Sequence, residues 1–344
     1  MQKIIIDCDP GIDDALALLL ALGSPEFEIV GITTVSGNVP ADLGAQNARK
    51  LLKQAGRLEI PVYIGEMGPM EGAYVDAMDT HGRDGLGESF LPEVPGPFPQ
   101  KGAVEFLEEC LERGEISILA LGPMTNLARL FERRPELIDR IPRLVSMGGS
   151  FKSHGNCSPV AEYNYWCDPY AAKICYEHFA RAGKKIEMVG LDVTRQIVLT
   201  PNLLSYMERL DRETGAFVRN LTEFYMDFHW KYEGIIGCVI NDPLAAAYLL
   251  DPDLCGGIDR YVAVETEGLC RGQTVVDSMD FWKKSPNSRV LTSVNVEEFM
   301  YLFFTRLLKK EDGSGWKKEE LTCLEQLMEA APQKMIFKEG GEMG

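Results

Sequence analysis

Four aspartates stand within one short stretch near the start of the chain: Asp7, Asp9, Asp13 and Asp14. Carboxylates this close together repel one another, so at least one of them must stay protonated unless a cation binds between them. Side chains two residues apart on a strand share a face, which directs Asp7 and Asp9 the same way. A set of oxygen ligands favours a hard divalent cation, Ca²⁺ or Mg²⁺, over zinc.

A strand and a helix must position these carboxylates. The β-branched run at residues 4–6 is typical of a strand buried on both faces. Pro10 and Gly11 indicate a turn, and residues 15–22 are rich in helix formers. Acidic residues suit the first turn of a helix, where unpaired N–H groups favour negative charge. In the alternative interpretation, Asp13 is only a helix N-cap and Asp7 only a turn residue.

Strands alternate with helices through most of the chain. This alternation predicts an α/β fold with a mainly parallel central sheet, helices on both faces and an open, doubly wound (Rossmann-like) topology. Several predicted strands end in small or polar clusters, at residues 7–14, 37–38, 121–126, 147–150, 192 and 241–242. We expect these clusters to meet at the edge where the parallel strands end, which is the candidate active site.

Composition excludes several classes of partner. The net charge is −17 and the basic residues are scattered, so a nucleic-acid polymer would be repelled. The longest apolar runs are far shorter than the ~20 residues of a membrane span. The nine cysteines include no CxxC pair, which argues against a disulfide framework or a zinc site. With no leader pattern at the N-terminus, these features predict a cytoplasmic protein with a small-molecule substrate.

The run DCDPGIDDA at residues 7–15 resembles the signature of the nucleoside hydrolases, the inosine-uridine-preferring family that hydrolyses N-ribosidic bonds. Other segments recur in the order of that family: TTVSGN (33–38), THG (80–82), LGPMTNLA (121–128), SMGGS (146–150), GNCSPVAEYN (155–164), GLDVT (190–194) and NDPLA (241–245). The resemblance covers roughly residues 1–310. It implies one nucleoside hydrolase-like domain there, followed by a polar linker, short helix and tail at residues 311–344. It also implies a homodimer or homotetramer.

The resemblance implies a Ca²⁺ site and a ribose site that share residues. The metal ligands would be Asp9, Asp14, Asp242 and the main-chain carbonyl of Leu121. Asp9 would also be the general base that activates the attacking water. The ribose 2′ and 3′ hydroxyls would be bound by Asp13, Asn164 and Asp242, with Asn38 close by. The 5′ hydroxyl would be bound by Asn156 and Glu162, and Met147 would pack near the sugar.

These residue types suit hydrolysis of an N-glycosidic bond. The reaction passes through an oxocarbenium-like sugar, whose positive charge a carboxylate-rich pocket stabilises. A metal ion lowers the pKa of a bound water. A site that pairs every ribose hydroxyl should reject 2′-deoxy substrates, because the unmatched polar groups would stay buried.

The sequence departs from the family at Asn241. Many members that take inosine and uridine have a histidine there, which helps to protonate the leaving base. We hypothesise that His81 or His229 is the leaving-group acid instead, or that stacking on aromatic rings activates the base. The candidate rings are Tyr225, Phe228, Trp230 and Tyr232. The other two histidines, His154 and His178, are expected to be a solvated loop residue and a surface residue.

Three alternatives stay open at this stage. The missing histidine is compatible with a Ca²⁺-dependent nucleoside-binding protein with weak or no turnover. It is also compatible with a hydrolase of a modified nucleoside. A phosphatase of the haloacid dehalogenase type also begins with a strand and a DxD motif, but Pro10 and Gly11 do not fit the residues that follow its second aspartate, and the pair Asp13 and Asp14 would be unexplained.

Overall fold

An eight-stranded sheet lies at the centre of the protein in the computed structural model, which describes residues 1–329. The strands in chain order are β1 (Gln2–Cys8), β2 (Phe27–Thr34), β3 (Val62–Ile64), β4 (Ser117–Ala120), β5 (Leu144–Met147), β6 (Ile186–Val189), β7 (Val198–Leu199), β8 (Cys238–Val239), β9 (Cys255–Arg260), β10 (Val262–Val264), β11 (Thr274–Val276) and β12 (Ser288–Val294). The pairs β7–β8 and β10–β11 form two small antiparallel sheets outside the central one.

The helices fill the connections between these strands. In chain order they are α1 (Ile12–Leu22), α2 (Ala41–Gln54), α3 (Met78–His81), α4 (Ala103–Arg113), α5 (Thr125–Arg133), α6 (Tyr163–Cys167), α7 (Pro169–Arg181), α8 (Leu191–Thr194), α9 (Pro201–Leu210), α10 (Arg212–Glu233), α11 (Asp242–Leu250), α12 (Val296–Leu307) and α13 (Leu324–Glu329). No helix in this part of the chain has the length and apolar character needed to cross a membrane.

The strand order of the central sheet is β3-β2-β1-β4-β5-β6-β12-β9. Every neighbouring pair is parallel except β12 and β9, which makes β9 an antiparallel edge strand. The order reverses between β1 and β4, and a crevice opens at such a switch point beyond the carboxyl ends of the strands. The predicted doubly wound, mainly parallel α/β fold is confirmed.

Two apolar cores cover the two faces of the sheet. Ile4 and Ile6 of β1 belong to the core formed with α1, α2 and α9–α12, whereas Ile5 belongs to the core formed with α4, α5 and α7. All three side chains are completely buried. The strand predicted to be buried on both faces is therefore confirmed, and it fixes the position of the aspartates that follow it.

Element boundaries differ from the sequence-based expectation in two places. The stretch from 203 to about 230 reads as one long helix, but Asp211 adopts an extended conformation and separates α9 from α10. Its carboxylate accepts the backbone N–H of Thr214, which caps α10. Strands β9 and β12 were not predicted, because glycine and charged residues in the first and polar residues in the second obscure the strand pattern.

The described part of the C-terminal segment, residues 311–329, packs on the rest of the chain. Leu321 and Leu324 are completely buried and join the core that contains α9 and α12. The short helix expected within 311–344 is observed as α13, and residues 330–344 of that segment lie outside the described residues. The division into residues 1–310 and 311–344 stays a prediction.

Replacing Leu324 by alanine should lower the free energy of unfolding by about 3 kcal/mol, because a fully buried leucine leaves a cavity. The matched control is Glu325→Ala, at an exposed position on the same helix, which should change it by less than about 0.5 kcal/mol. Urea denaturation of both variants provides the measurement. A change in the free energy of unfolding for Leu324→Ala as small as that for Glu325→Ala would show that this segment does not contribute to the stability of the domain.

Candidate active site

Asp7 ties strand β1 to its neighbours rather than facing a ligand. Its Oδ1 accepts hydrogen bonds from the Thr33 hydroxyl at 2.6 Å and from Asn126 Nδ2 at 2.7 Å. Burial raises the pKa of Asp7 to about 6, against the effect of these two hydrogen bonds. The alternative that Asp7 is only a turn residue is wrong, because Asp7 lies within β1 and its partners are distant in the chain. Its role is nevertheless structural, so the acidic cluster consists of the other aspartates.

Asp14 closes the turn between β1 and α1. Its Oδ2 accepts the N–H of Gly11 at 2.9 Å and Asn38 Nδ2 at 3.0 Å, and its Oδ1 accepts the N–H of Asp9 at 3.2 Å. Burial, followed by the charge of Asp13, raises the pKa of Asp14 to about 7. The Asp14 carboxyl group thus accepts N–H groups at the N-terminus of α1, and it also lies close to the other aspartates.

The acidic cluster joins the first turn of α1 to the first turn of α11. Oxygen atoms of Asp13, Asp14 and Asp242 lie within 4.8 Å of one another, and all three side chains are buried. Asp242 comes from the far end of the chain, and burial together with the charge of Asp13 raises its pKa well above the usual range. Like charges brought this close in a dry environment require protons or a cation.

Asp9 lies beneath this cluster in a space that only glycines leave open. Its Oδ2 accepts the N–H of Asn38 at 2.6 Å, and its Oδ1 is buried without a hydrogen-bond partner among residues 1–329. A Cβ atom at Gly37 would lie 2.0 Å from Asp9 Oδ2, and one at Gly122 would lie 2.4 Å from Oδ1. Burial raises the pKa of Asp9 well above the ordinary value, and the charge of Asp14 adds to this effect.

These residues fit a hard divalent cation. The cluster offers only oxygen ligands, and the unpaired Asp9 Oδ1 is a buried polar atom that lacks a partner. The carbonyl of Leu121, the expected main-chain ligand, accepts Asn164 Nδ2 at 2.7 Å. A carbonyl oxygen has a second lone pair, so this hydrogen bond leaves room for another partner.

A cavity of about 320 Å³ opens above the cluster. The expected sugar-binding residues all line it: Asp13, Asn38, Met147, Asn156, Glu162, Asn164 and Asp242. Asp9 and Asp14 do not line it and lie completely buried. The expectation that the strand ends meet at one edge is confirmed, except that Asp192 accepts the N–H groups of residues 151–153 and holds that loop instead.

Glu162 and Asn156 shape the opposite wall of the cavity. The Glu162 carboxylate caps α6 by accepting the N–H of Asn164 at 2.8 Å and of Tyr165 at 3.2 Å, and it also accepts the N–H of Gly149 at 2.9 Å. Burial raises the pKa of Glu162 to about 7. Asn156 Oδ1 accepts the N–H of Tyr163 at 2.9 Å, which leaves the Asn156 amide nitrogen as the donor.

The two candidate acid histidines line the cavity in different tautomers. His81 Nδ1 accepts the N–H of Ile12 at 3.0 Å, so the neutral ring carries its proton on Nε2. His229 Nδ1 lies 2.8 Å from the Tyr225 carbonyl, which can only accept, so the proton of the neutral ring lies on Nδ1. Burial lowers the pKa of both imidazoles.

The remaining histidines lie away from the cavity, as expected. His154 is an exposed loop residue that contacts the Gly155 carbonyl, and His178 is half-buried on α7. Of the four candidate rings, Tyr225 and Phe228 line the cavity, but Trp230 and Tyr232 are 57% and 60% exposed. Phe228 and His229 follow Tyr225 by three and four residues, which places both of them on the helix face of Tyr225.

Several cavity residues were not anticipated from the sequence, among them Tyr163, Arg195 and Glu233. Tyr163 Oη lies 2.9 Å from the carbonyls of both Gly37 and Val75, so it joins the β2–α2 connection to the connection between β3 and α3. Arg195 directly follows the GLDVT segment and donates to the carbonyl of Gly155 at 2.9 Å. Arg195 follows a strand-end cluster, and this position could have indicated it as a site residue. Glu233 lies one helical turn after His229, and this spacing could have indicated Glu233.

The fold and the site together define an α/β enzyme that acts on a small polar ligand at a switch point rich in carboxylates. Residues 4–301 match the family model of the inosine-uridine preferring nucleoside hydrolases, and the chain belongs to this family. It is therefore an enzyme that hydrolyses the N-glycosidic bond of nucleosides. The family expected from the sequence motifs is confirmed.

Relatives with different stated substrates are similarly close to this chain. It is 38% identical over 279 residues to uridine nucleosidase 1 of Arabidopsis thaliana, covering 80% of this chain and 82% of the relative. It is 37% identical over 309 residues to the pyrimidine-specific ribonucleoside hydrolase of Salmonella typhimurium, covering 88% and 97%. The solved structure of the purine-preferring ribonucleoside hydrolase from Gardnerella vaginalis aligns with a TM-score of 0.83 and 34% identity, covering 89% and 98%.

Metal-free protein should lose stability as the pH rises from about 4 to about 7. The pKa values of Asp7, Asp14 and Glu162 are raised in the folded state, so the stability they contribute is complete below the pKa of the unfolded carboxyls and is lost as the pH passes about 6 to 7. Each such group changes the free energy of unfolding by up to about 1.4 kcal/mol per pH unit while it titrates. Urea denaturation after chelation measures this slope.

The matched control is Asp7→Asn, which keeps the Oδ1 acceptor for Thr33 and Asn126 but cannot titrate. Its slope should be shallower than that of the wild type between about pH 4 and pH 6. Identical slopes for the two proteins would contradict the raised pKa of Asp7.

Proposed function

We propose that this enzyme hydrolyses ribonucleosides to ribose and free base with the help of one bound Ca²⁺ and a water molecule activated by Asp9. The observation that carries this proposal is the buried acidic cluster beneath a cavity lined by the expected sugar-binding residues. Membership of the family supports cleavage of the N-glycosidic bond. The Ca²⁺ and the role of Asp9 are what the resemblance of the motifs implies, and the acidic cluster supports them.

Asp14, Asp242 and Asp9 are the side chains that would hold the cation, together with the carbonyl oxygen of Leu121. Asp13 completes the observed cluster with Asp14 and Asp242, and it would bind the sugar hydroxyls. Ligands that are all oxygen favour a hard cation over zinc, and the resemblance to the family selects Ca²⁺ among the hard cations. When bound, the cation supplies positive charge that keeps the carboxylates ionised and lowers the pKa of a coordinated water.

Asp9 has the features of a general base. Its Oδ1 is free of hydrogen bonds within the described chain, and its raised pKa makes it a stronger proton acceptor once it is ionised. Water adds to C1′ of the ribose, its proton passes to Asp9, and the electrons of the broken C1′–N bond leave with the base. Because burial alone favours the protonated acid, Asp9 can act as a base only when nearby positive charge ionises it.

The cavity wall suits ribose in particular. Asp13 and Asp242 supply carboxylate acceptors for the hydroxyls, and Asn164 contributes an amide whose Nδ2 is fixed by Leu121. The same carboxylates stabilise the positive charge that develops on the sugar. A substrate without the 2′ hydroxyl would leave acceptors unpaired in a buried site, so we expect 2′-deoxynucleosides to be poor substrates.

The tautomers distinguish the two candidate acids. His81 uses Nδ1 as an acceptor, so it can offer only the proton on Nε2. Because loss of that proton from a neutral ring is very unfavourable, we assign His81 the role of a hydrogen-bond donor. His229 keeps its Nδ1 proton on the Tyr225 carbonyl and can gain and lose a second proton at Nε2. We therefore propose His229 as the leaving-group acid in place of the histidine that Asn241 replaces.

Some aspects of function stay predictions. The substrates named for the relatives include uridine, pyrimidine nucleosides and purine nucleosides, so no single base is proposed. All nine thiols are free, which is consistent with the predicted cytoplasmic location. The predicted homodimer or homotetramer is likewise retained.

The direct test is ribose release from a panel of purine, pyrimidine and modified ribonucleosides, followed by a reducing-sugar assay. Asp9→Asn should lower kcat by about 10³-fold, because the base is lost while the shape of the side chain is kept. Chelation of divalent ions should abolish release, and Ca²⁺ should restore it in the wild type but not in the variant. Full activity in the presence of chelator would refute the metal proposal.

Calorimetric titration of the same nucleosides separates turnover from binding. A nucleoside that binds in a Ca²⁺-dependent way without ribose release from any member of the panel would favour the alternative of a nucleoside-binding protein.

Replacing His229 by glutamine should lower kcat for a natural ribonucleoside by about 10²-fold, because the leaving base loses its proton donor. On nitrophenyl riboside, whose leaving group needs no proton, the same variant should retain most of its activity. His81→Gln is the matched control, and it should affect both substrates by a smaller and similar factor. The assignment would be wrong if His229→Gln impaired both substrates equally.

A further inference from the structure

Asn47 lies on α2 and connects two turns that lie beside residues of the site. Its side chain is completely buried and does not line the cavity. The amide nitrogen Nδ2 lies 3.2 Å from the carbonyl oxygen of Pro10 and 2.8 Å from that of Asp84. Pro10 belongs to the turn between Asp9 and α1, and Asp84 belongs to the turn that directly follows His81.

The two carbonyls fix the orientation of the Asn47 amide. A carbonyl oxygen can only accept a hydrogen bond, so the two N–H groups of Nδ2 point at Pro10 and Asp84, one at each. The amide oxygen faces the other way and accepts a hydrogen bond from Lys50 Nζ at 3.3 Å. The amide nitrogen therefore holds the two turns together from a buried position.

The turn at residues 82–87 is shaped to bring its backbone to this contact. The carboxylate of Asp84 accepts three backbone N–H groups at 2.9 to 3.0 Å, those of Leu86, Glu88 and Phe90. Gly85 has a φ of +75°, and a Cβ atom there would lie 2.9 Å from Asn47 Nδ2. The glycine allows both the left-handed conformation and the close approach to the amide.

His81 is held from two sides as a result. Its ring accepts the N–H of Ile12 at 3.0 Å, and its backbone carbonyl accepts the N–H of Gly87 at 2.8 Å. A Cβ atom at Gly11 would lie 2.6 Å from His81 Nδ1, so the ring also packs against the turn before α1. A shift of residues 82–87 away from α2 would move the backbone of His81, and with it the proton on Nε2.

We propose that Asn47 is a positioning residue, which sets the place of His81 in the cavity by binding the carbonyls of Pro10 and Asp84 at the same time. The inference rests on the proposed function, since it takes His81 Nε2 as a donor to the bound nucleoside. Asn47 is completely buried and lies outside the cavity lining, so it acts on the ligand through His81.

The test is a double-mutant cycle between Asn47 and His81. Asn47→Leu keeps the approximate size of the side chain and removes both donors. Its kcat and KM for the best ribonucleoside are measured with His81 present and with His81→Gln. The matched control is Lys50→Met, which removes the donor to the amide oxygen and leaves both contacts of Nδ2 in place.

We expect Asn47→Leu to lower kcat/KM by about tenfold when His81 is present, which is the size of one lost hydrogen bond to the ligand. In the His81→Gln background the same substitution should change kcat/KM by less than about twofold, because the residue that it positions is already absent. Lys50→Met should stay within about twofold of the wild type.

Asp84→Ala tests the same positioning should Asn47→Leu fail to fold. It removes the acceptor of three N–H groups in the turn at 82–87, at a side chain that is only half-buried. It should lower kcat/KM when His81 is present and leave it nearly unchanged in the His81→Gln background.

Three results would overturn the proposal. The first is an equal loss of kcat/KM from Asn47→Leu in both backgrounds, which would leave only a structural role. The second is an unchanged kcat/KM for Asn47→Leu when His81 is present, which would show that His81 is held without the amide. The third is full activity of His81→Gln alone, which would remove the residue through which Asn47 is proposed to act.

Calorimetric binding of the same nucleoside to all members of the cycle separates this inference from the proposed function. If the wild type binds nucleosides but releases no ribose, the proposed function fails while the dissociation constants still test Asn47. If the wild type releases ribose and neither the rates nor the dissociation constants show coupling to His81, the hydrolase stands and the role of Asn47 is refuted.

Discussion

Burial of several carboxylates in one place is the constraint on which the rest of this structure depends. Asp9, Asp13, Asp14 and Asp242 are each at most 5% exposed, and the pKa values of Asp9, Asp14 and Asp242 are raised chiefly by burial. Backbone N–H groups compensate in part, as Gly11 and Asn38 do for Asp14 and Asp9. Full ionisation requires a cation, which links metal binding to the proton balance of the site.

The fold explains how such a cluster can be assembled at all. Parallel strands on either side of the switch point end at the same edge, so β1 delivers Asp9 while β4 delivers the carbonyl of Leu121. The helix that follows β8 brings Asp242 to the same edge from far along the chain. The two apolar cores pack on both faces of the sheet that carries this edge.

Much of this arrangement is accessible from the sequence because it is local or periodic. The β-branched run before Asp7 and the dense aspartates after it predict the strand, the turn and the acidic site. What stayed hidden depends on contacts between distant residues. The tautomer of His81 follows from an N–H at Ile12, and the amide orientation of Asn47 follows from a carbonyl at Asp84, and neither pairing leaves a pattern in the chain.

The coupling between cation and proton provides the most direct measurement of the central claim. Calcium should be titrated calorimetrically into metal-free protein near pH 6.5 in buffers with different ionisation enthalpies. The account predicts binding of about one ion per chain with release of at least about one proton, because carboxyls that are protonated when the site is metal-free must ionise to bind it. Calcium binding without proton release, or no binding at all, would contradict the account.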